Sequence, residues 1–151
     1  MGYCISMEVC KLVIAKENVS KALKAINALH KDQKTIVKNG GGGMSCGGGN
    51  PTVYSYSWVD KPPEGGFKDL VSAFKAWRYC AAANDDGSVE VMHFNGEKLG
   101  NCDVLWKALQ KLVPSNAEIR CRGEDGMQWK WTFKGEKFKE VDGKVVWEDE
   151  G

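Results

Sequence analysis

Ala117-Glu118-Ile119-Arg120-Cys121-Arg122-Gly123-Glu124-Asp125-Gly126-Met127-Gln128-Trp129-Lys130-Trp131-Thr132-Phe133 reads as two strands joined by a tight turn. On the first arm Ile119 and Cys121 alternate with Arg120 and Arg122, and on the second Trp129, Trp131 and Phe133 alternate with Lys130, Thr132 and Lys134. Both arms therefore have the period of two that belongs to a half-buried strand. Gly123-Glu124-Asp125-Gly126 reverses the chain, since glycine accepts positive φ and Asp can bond its own backbone. One face of the hairpin is apolar and aromatic, the other cationic.

Upstream of the hairpin, Tyr3, Ile5, Met7 and Val9 alternate, and Leu12 and Ile14 continue in the opposite phase. That predicts an opening strand with a bulge near Cys10 and Lys11. Val19, Ala22, Leu23, Ile26 and Leu29 fall at helical spacing, with Lys21, Lys24 and Asn27 on the other side and His30 and Lys31 in the last turn. A second helix is predicted from the stripe Phe67, Leu70, Val71, Phe74 and Trp77, leading into a strand over Tyr79 to Ala83. Asp85-Asp86-Gly87-Ser88 turns into a return strand in which Val89, Val91 and His93 alternate with Glu90, Met92 and Phe94, leaving the buried face open. A third helix, capped by Asn101 or Asp103, carries Val104, Leu105, Ala108, Leu109, Leu112 and Val113, with Pro114 as its stop. Beyond the hairpin, short strands are expected around Phe138 and over Val145-Val146-Trp147.

Consecutive hairpins imply a mainly antiparallel sheet, and three amphipathic helices must bury their stripes against it, so the fold class is α+β. Helix, hairpin and Phe-x-Gly-Glu-Lys occur twice, at Phe94 and again 39 residues later at Phe133. An internal duplication and chance similarity both account for so short a match.

The 151 residues fit a single α+β domain spanning 1–151, able to bury roughly two thirds of its unfolded surface. Seven glycines lie between Asn39 and Asn50, a segment that reads as a flexible loop. Its other reading is a backbone nest for a phosphate, but neither a P-loop nor a dinucleotide context surrounds it. Strand-like Val53 to Val59 follows, then the Pro62-Pro63 connector.

A net charge of +1 argues against a protein that coats nucleic acid through many phosphate contacts. No apolar run approaches the ~20 residues of a membrane span, and the N-terminus lacks a signal-peptide pattern, which points to the cytoplasm and away from membranes. The six cysteines show no C-x-x-C spacing and read as buried thiols. Two histidines, His30 and His93, form no metal-binding pattern, so neither a metal site nor a cofactor is expected.

No catalytic residues are legible. Cys80 or Cys121 beside His93 would make a dispersed thiol site only if the fold brought them together. Glu124 and Asp125 could orient a polar ligand beside Arg120 and Arg122, or simply serve the turn. The cationic strip of Arg120, Arg122 and Lys130, with Asp125 at the tip, is the candidate site for a protein partner or a small anionic ligand if no helix covers it. Glu118 and its neighbours would balance that charge on a merely wetted face. Trp129 and Trp131 lie opposite Lys130 in the alternation, which places them in the core and away from a base-stacking surface.

With its opening Met1-Gly2-Tyr3 strand, its Arg122-to-Gly126 turn and its Trp129-x-Trp131-x-Phe133 strand, the chain resembles a group of small uncharacterised bacterial and bacteriophage proteins. The likeness covers the first strand and helix and most of the chain from Phe67 onward; the glycine-rich insertion departs from it. It implies no catalytic residues and an accessory protein of a mobile element or its host, of the kind that binds and blocks a partner. The expectation is a non-enzymatic binding or inhibitor protein. The alternatives are a small-molecule or nucleotide-binding protein and an enzyme with a dispersed Cys/His site.

Overall fold

The computed structural model describes residues 3–31, 56 and 58–144. Among these residues the elements are β1 (Ile5–Cys10), β2 (Val13–Ile14), α1 (Lys16–Lys31), α2 (Leu70–Ala76), β3 (Tyr79–Ala83), β4 (Val89–Phe94), α3 (Cys102–Leu109), β5 (Glu118–Gly123), β6 (Gln128–Thr132) and β7 (Lys139–Asp142), with a 3₁₀ turn at Lys134–Glu136 before β7. The glycine-rich loop, most of Val53–Val59 and Val145–Trp147 lie outside the described residues. Tyr56, Trp58 and Val59, which are described, are not in a strand.

The α+β class holds, with two antiparallel sheets in place of the single sheet expected. Sheet order is β1-β5-β6-β7 in one and β2-β4-β3 in the other. The opening strand is divided between them at Lys11, whose φ of 53° is left-handed and breaks the ladder. The change of apolar phase after Val9 thus marks a transfer between sheets, a larger event than a bulge: β1 pairs with β5, and β2 pairs with β4.

In the three-stranded sheet a bulge settles the buried face of β4. Cys80 opposes His93 and Ala81 opposes Val91, so Met92 is the extra residue. The alternation is reset there, and Val89, Val91 and Phe94 are all buried. The two helix–hairpin units are not equivalently placed. β2 pairs with the second strand of its hairpin, whereas β1 pairs with the first strand of the other, and the structure does not show a duplication.

Helix α2 is shorter than its apolar stripe. Asp69 caps it by accepting a hydrogen bond from the Ser72 N–H at 2.7 Å, which leaves Phe67 before the helix. Asn27 of α1 is not simply solvated: its side-chain amide brackets Phe67, accepting from the Phe67 N–H at 2.8 Å and donating to the Phe67 carbonyl at 3.1 Å. The two bonds dock the connector onto α1.

The core is aromatic and centres on Trp106 of α3. Its ring meets Phe74 of α2, Tyr79 of β3 and Phe133 at centroid distances of 5.8, 5.2 and 5.8 Å, so one side chain joins a helix, one sheet and the end of the other. The indole N–H donates to Tyr79 Oη at 3.0 Å, and that hydroxyl donates to Met7 Sδ at 3.3 Å. Burial holds the Tyr79 phenol well above its ordinary pKa, so it stays a donor. A second aromatic group surrounds His30 at the end of α1, where Tyr56, Phe67 and Trp77 approach its ring edge-on. His30 Nε2 accepts a hydrogen bond from the Trp77 indole at 3.2 Å, so the ring is neutral and burial lowers its pKa. It is a packing residue rather than a cation at the helix end.

Candidate functional site

Register brings the cationic residues of the hairpin together. Arg120 faces Lys130 across the β5–β6 ladder and Arg122 faces Gln128, while Glu8 and Ser6 of β1 stand beside Arg120 and Arg122. Their inward neighbours Ile119, Cys121 and Trp131 are buried, and Trp129 is half-buried, so the alternation divides core from surface as its period requires. The outer face is open at Arg120 and Lys130, whose side chains are 60% and 44% exposed, while Thr132 on the same face is buried.

Glu118 sits within this strip and partly neutralises it. Its carboxylate accepts from Arg120 Nε at 2.7 Å, lies 2.6 Å from Arg120 Nη2 and 3.5 Å from Lys130 Nζ. The bond from Arg120, with the charges of Arg120 and Lys130, lowers the Glu118 pKa. Such exposed pairs contribute little to stability and are screened by salt. Arg122 forms no hydrogen bond or ion pair among the described residues. Lys139 of β7 lies beyond Thr132 on the same face. Arg120, Arg122, Lys130 and Lys139 therefore face Glu8 and Glu118, and the balance of the face is cationic.

Exposed Val141, opposite Lys130 on β7, adds an apolar contact. Between these strands Arg120, Gln128, Lys130, Val141, Asp142 and Gly143 bound a cleft of about 170 Å³, with Cys121 and Trp129 in its wall. Small-molecule sites run from about 300 to 1,000 Å³. The cleft therefore suits one inserted side chain better than a whole small ligand.

Asp125 sits apart from the strip. Its carboxylate accepts a short hydrogen bond from the Tyr3 hydroxyl and another from the Met127 N–H at 3.0 Å, which ties the hairpin tip to the start of the chain. The first bond lowers the Asp125 pKa and pushes the Tyr3 phenol up to about 12. Gly123 makes this closure possible, because a Cβ there would lie 1.5 Å from the Tyr3 hydroxyl. Asp125 thus performs turn chemistry.

Of the two thiols considered beside His93, only Cys80 is brought near, as its cross-strand partner. Cys121 is in the other sheet, and burial pushes its pKa to about 12, which disfavours the thiolate. No cluster of three or more metal-ligating side chains occurs among the described residues.

Two residues escape the sequence reading. Trp106 lies between Leu105 and Ala108 of the apolar stripe and could have been found by widening it. Arg78 adopts a left-handed φ of 71° between α2 and β3, and the signal for it is a helix-to-strand junction with no glycine to take that conformation. No protein-family model, curated protein or solved structure matches the chain. Among the described residues no helix is long and apolar enough to cross a membrane.

Proposed function

We propose that the chain is a non-enzymatic binding protein, acting in the cytoplasm as an accessory or inhibitor, that grips an acidic surface of a partner protein with the open face of its four-stranded sheet. The observation that carries this reading is the shape and charge of that face. Four cations lie on adjacent strands of this face, two of them, Arg120 and Lys130, line a cleft sized for one side chain together with Asp142, and Arg122 is uncommitted. Such an arrangement supplies electrostatic steering at the rim and a small anchor pocket at the centre. The mobile-element part of the reading rests on the sequence resemblance alone.

The test is quantitative affinity capture with the wild-type chain and an Arg122→Glu/Lys130→Glu variant. The expected result is a partner whose capture falls roughly tenfold or more in the variant, about 1.4 kcal/mol or more of binding, with unfolding behaviour unchanged. Equal recovery of the same partner by both proteins removes this face from the account.

The opposition of Cys80 and His93 in register favours a second reading, a thiol-dependent enzyme. Alkylation of Cys80 far faster than of half-buried Cys4 and Cys10 supports it, because a catalytic thiolate reacts ahead of ordinary thiols. Equal rates remove it.

A further inference from the structure

A wider cleft lies away from the cationic face. It lies where the end of α2 meets β3 and β4, holds about 560 Å³, and so falls within the range of small-molecule sites. Its walls combine apolar and charged groups. Val71 and Lys75 come from α2, Arg78 from the junction, Met92 and His93 from the bulged end of β4, and Asn95 from just beyond it. Among the described residues Asp60 is the one carboxylate in its lining, beside two cations.

Arg78 is held in an unusual way. Its backbone takes the left-handed conformation that glycine normally fills at a helix end, and its N–H bonds the Lys75 carbonyl at 2.9 Å. Its guanidinium is anchored from behind by the Leu99 carbonyl at 3.2 Å and by Cys102 Sγ at 3.6 Å, and it stacks over Phe94 at 4.9 Å. Gly96 keeps this stack open, since a Cβ there would come within 2.7 Å of Phe94 and 3.0 Å of Arg78 Nη1.

None of those contacts carries a negative charge. Arg78 Nε is buried and makes no hydrogen bond, and neither Arg78 nor Lys75 forms an ion pair among the described residues. A half-buried guanidinium held by neutral groups leaves its charge unbalanced by any ion pair among the described residues, and Arg78 lines the cleft.

From this we infer that the cleft is a binding site for a small organic anion. A carboxylate, phosphate or sulfonate would lie between Lys75 and Arg78, with its apolar body against Val71 and Met92. The site is separate from the sheet face proposed for a protein partner. Arg78 sets the charge at the floor, Lys75 is the mobile cation at the rim, and Asn95 and His93 offer hydrogen bonds. The apolar wall sets the preference for an anion with a hydrocarbon body over inorganic phosphate.

The test uses 8-anilinonaphthalene-1-sulfonate as a probe, because it joins a sulfonate to an aromatic body. Its saturable fluorescence titration is compared for the wild-type chain, Lys75→Glu, Met92→Glu and Arg122→Glu/Lys130→Glu, with circular dichroism to confirm that each is folded. In parallel, iodoacetamide labelling of Cys80, which also lines the cleft, is followed by peptide mass spectrometry with and without probe. The inference expects a Kd at least tenfold weaker in both cleft variants and unchanged in the sheet-face variant, with Cys80 labelling slowed by the probe. It is overturned if no saturable binding occurs, if the cleft variants bind like wild type, or if bound probe leaves Cys80 labelling unaffected. Should one cleft variant fail to fold, Lys75→Gln carries the same expectation with a smaller loss.

Discussion

Replacing Tyr79 by Phe removes a single oxygen atom from the centre of the molecule and leaves a buried donor without its partner. That hydroxyl accepts from the Trp106 indole at 3.0 Å, and both side chains are essentially inaccessible to solvent. Without it the indole N–H stays buried with no acceptor, which costs about 1–3 kcal/mol. The lost contact to Met7 adds little, because a thioether is a weak acceptor. For a chain of this size the change corresponds to a fall in Tm of roughly 2–12 °C. Thermal and urea unfolding, followed by circular dichroism, give the value. A double-mutant cycle with Trp106→Phe then isolates the bond from the packing loss: the double variant is expected to be less destabilised than the sum of the singles, by about 0.5–3 kcal/mol. A wild-type midpoint for Tyr79→Phe, or strict additivity in the cycle, would refute the account of the core.

Burial lowers the His30 pKa, so the unfolded chain binds this proton more readily than the folded one. Stability is then flat above the ordinary imidazole value of about 6.5 and falls as pH drops below it toward the folded-state pKa; His30→Gln, whose amide oxygen can still accept from Trp77, is expected to flatten the slope of Tm between pH 7 and 5. Asp69→Ala deletes the cap of α2 and is expected to cost about 1 kcal/mol in urea unfolding. Gly123→Ala forces Tyr3 off the hairpin tip, so the Tyr3 phenol is expected to return from about 12 toward its ordinary value of 10, read by ultraviolet absorbance titration.

The β5–β6 hairpin is legible in the sequence because its two arms keep strict alternation and its turn residues leave little choice. Arg120 and Lys130 can therefore be placed side by side from sequence, and Glu118 can be named as their counter-charge. The division of the first strand is not legible, because a bulge and a transfer between sheets produce the same shift of apolar phase at Lys11. Asp125 is legible only in part: its turn bond to Met127 is local, but Tyr3 reaches it from 122 residues away. Nothing in the local pattern signals the cleft around Arg78, since it forms only when the end of α2, the junction and the β4 bulge meet. Its one sequence trace is the missing glycine between Trp77 and Tyr79. Asn27 reads as a wet-side residue of α1 and His30 as a positive or donor group suited to its last turn, and backbone and indole partners distant in sequence claim them instead.

Lysine acylation footprinting of the protein, alone and in complex with a partner recovered by affinity capture, tests the proposed binding face most directly. With the open sheet face as the contact, Lys130 and Lys139 are expected to lose reactivity in the complex while exposed Lys107 on α3 keeps its own. Full reactivity of Lys130 and Lys139 in the complex would contradict the proposal.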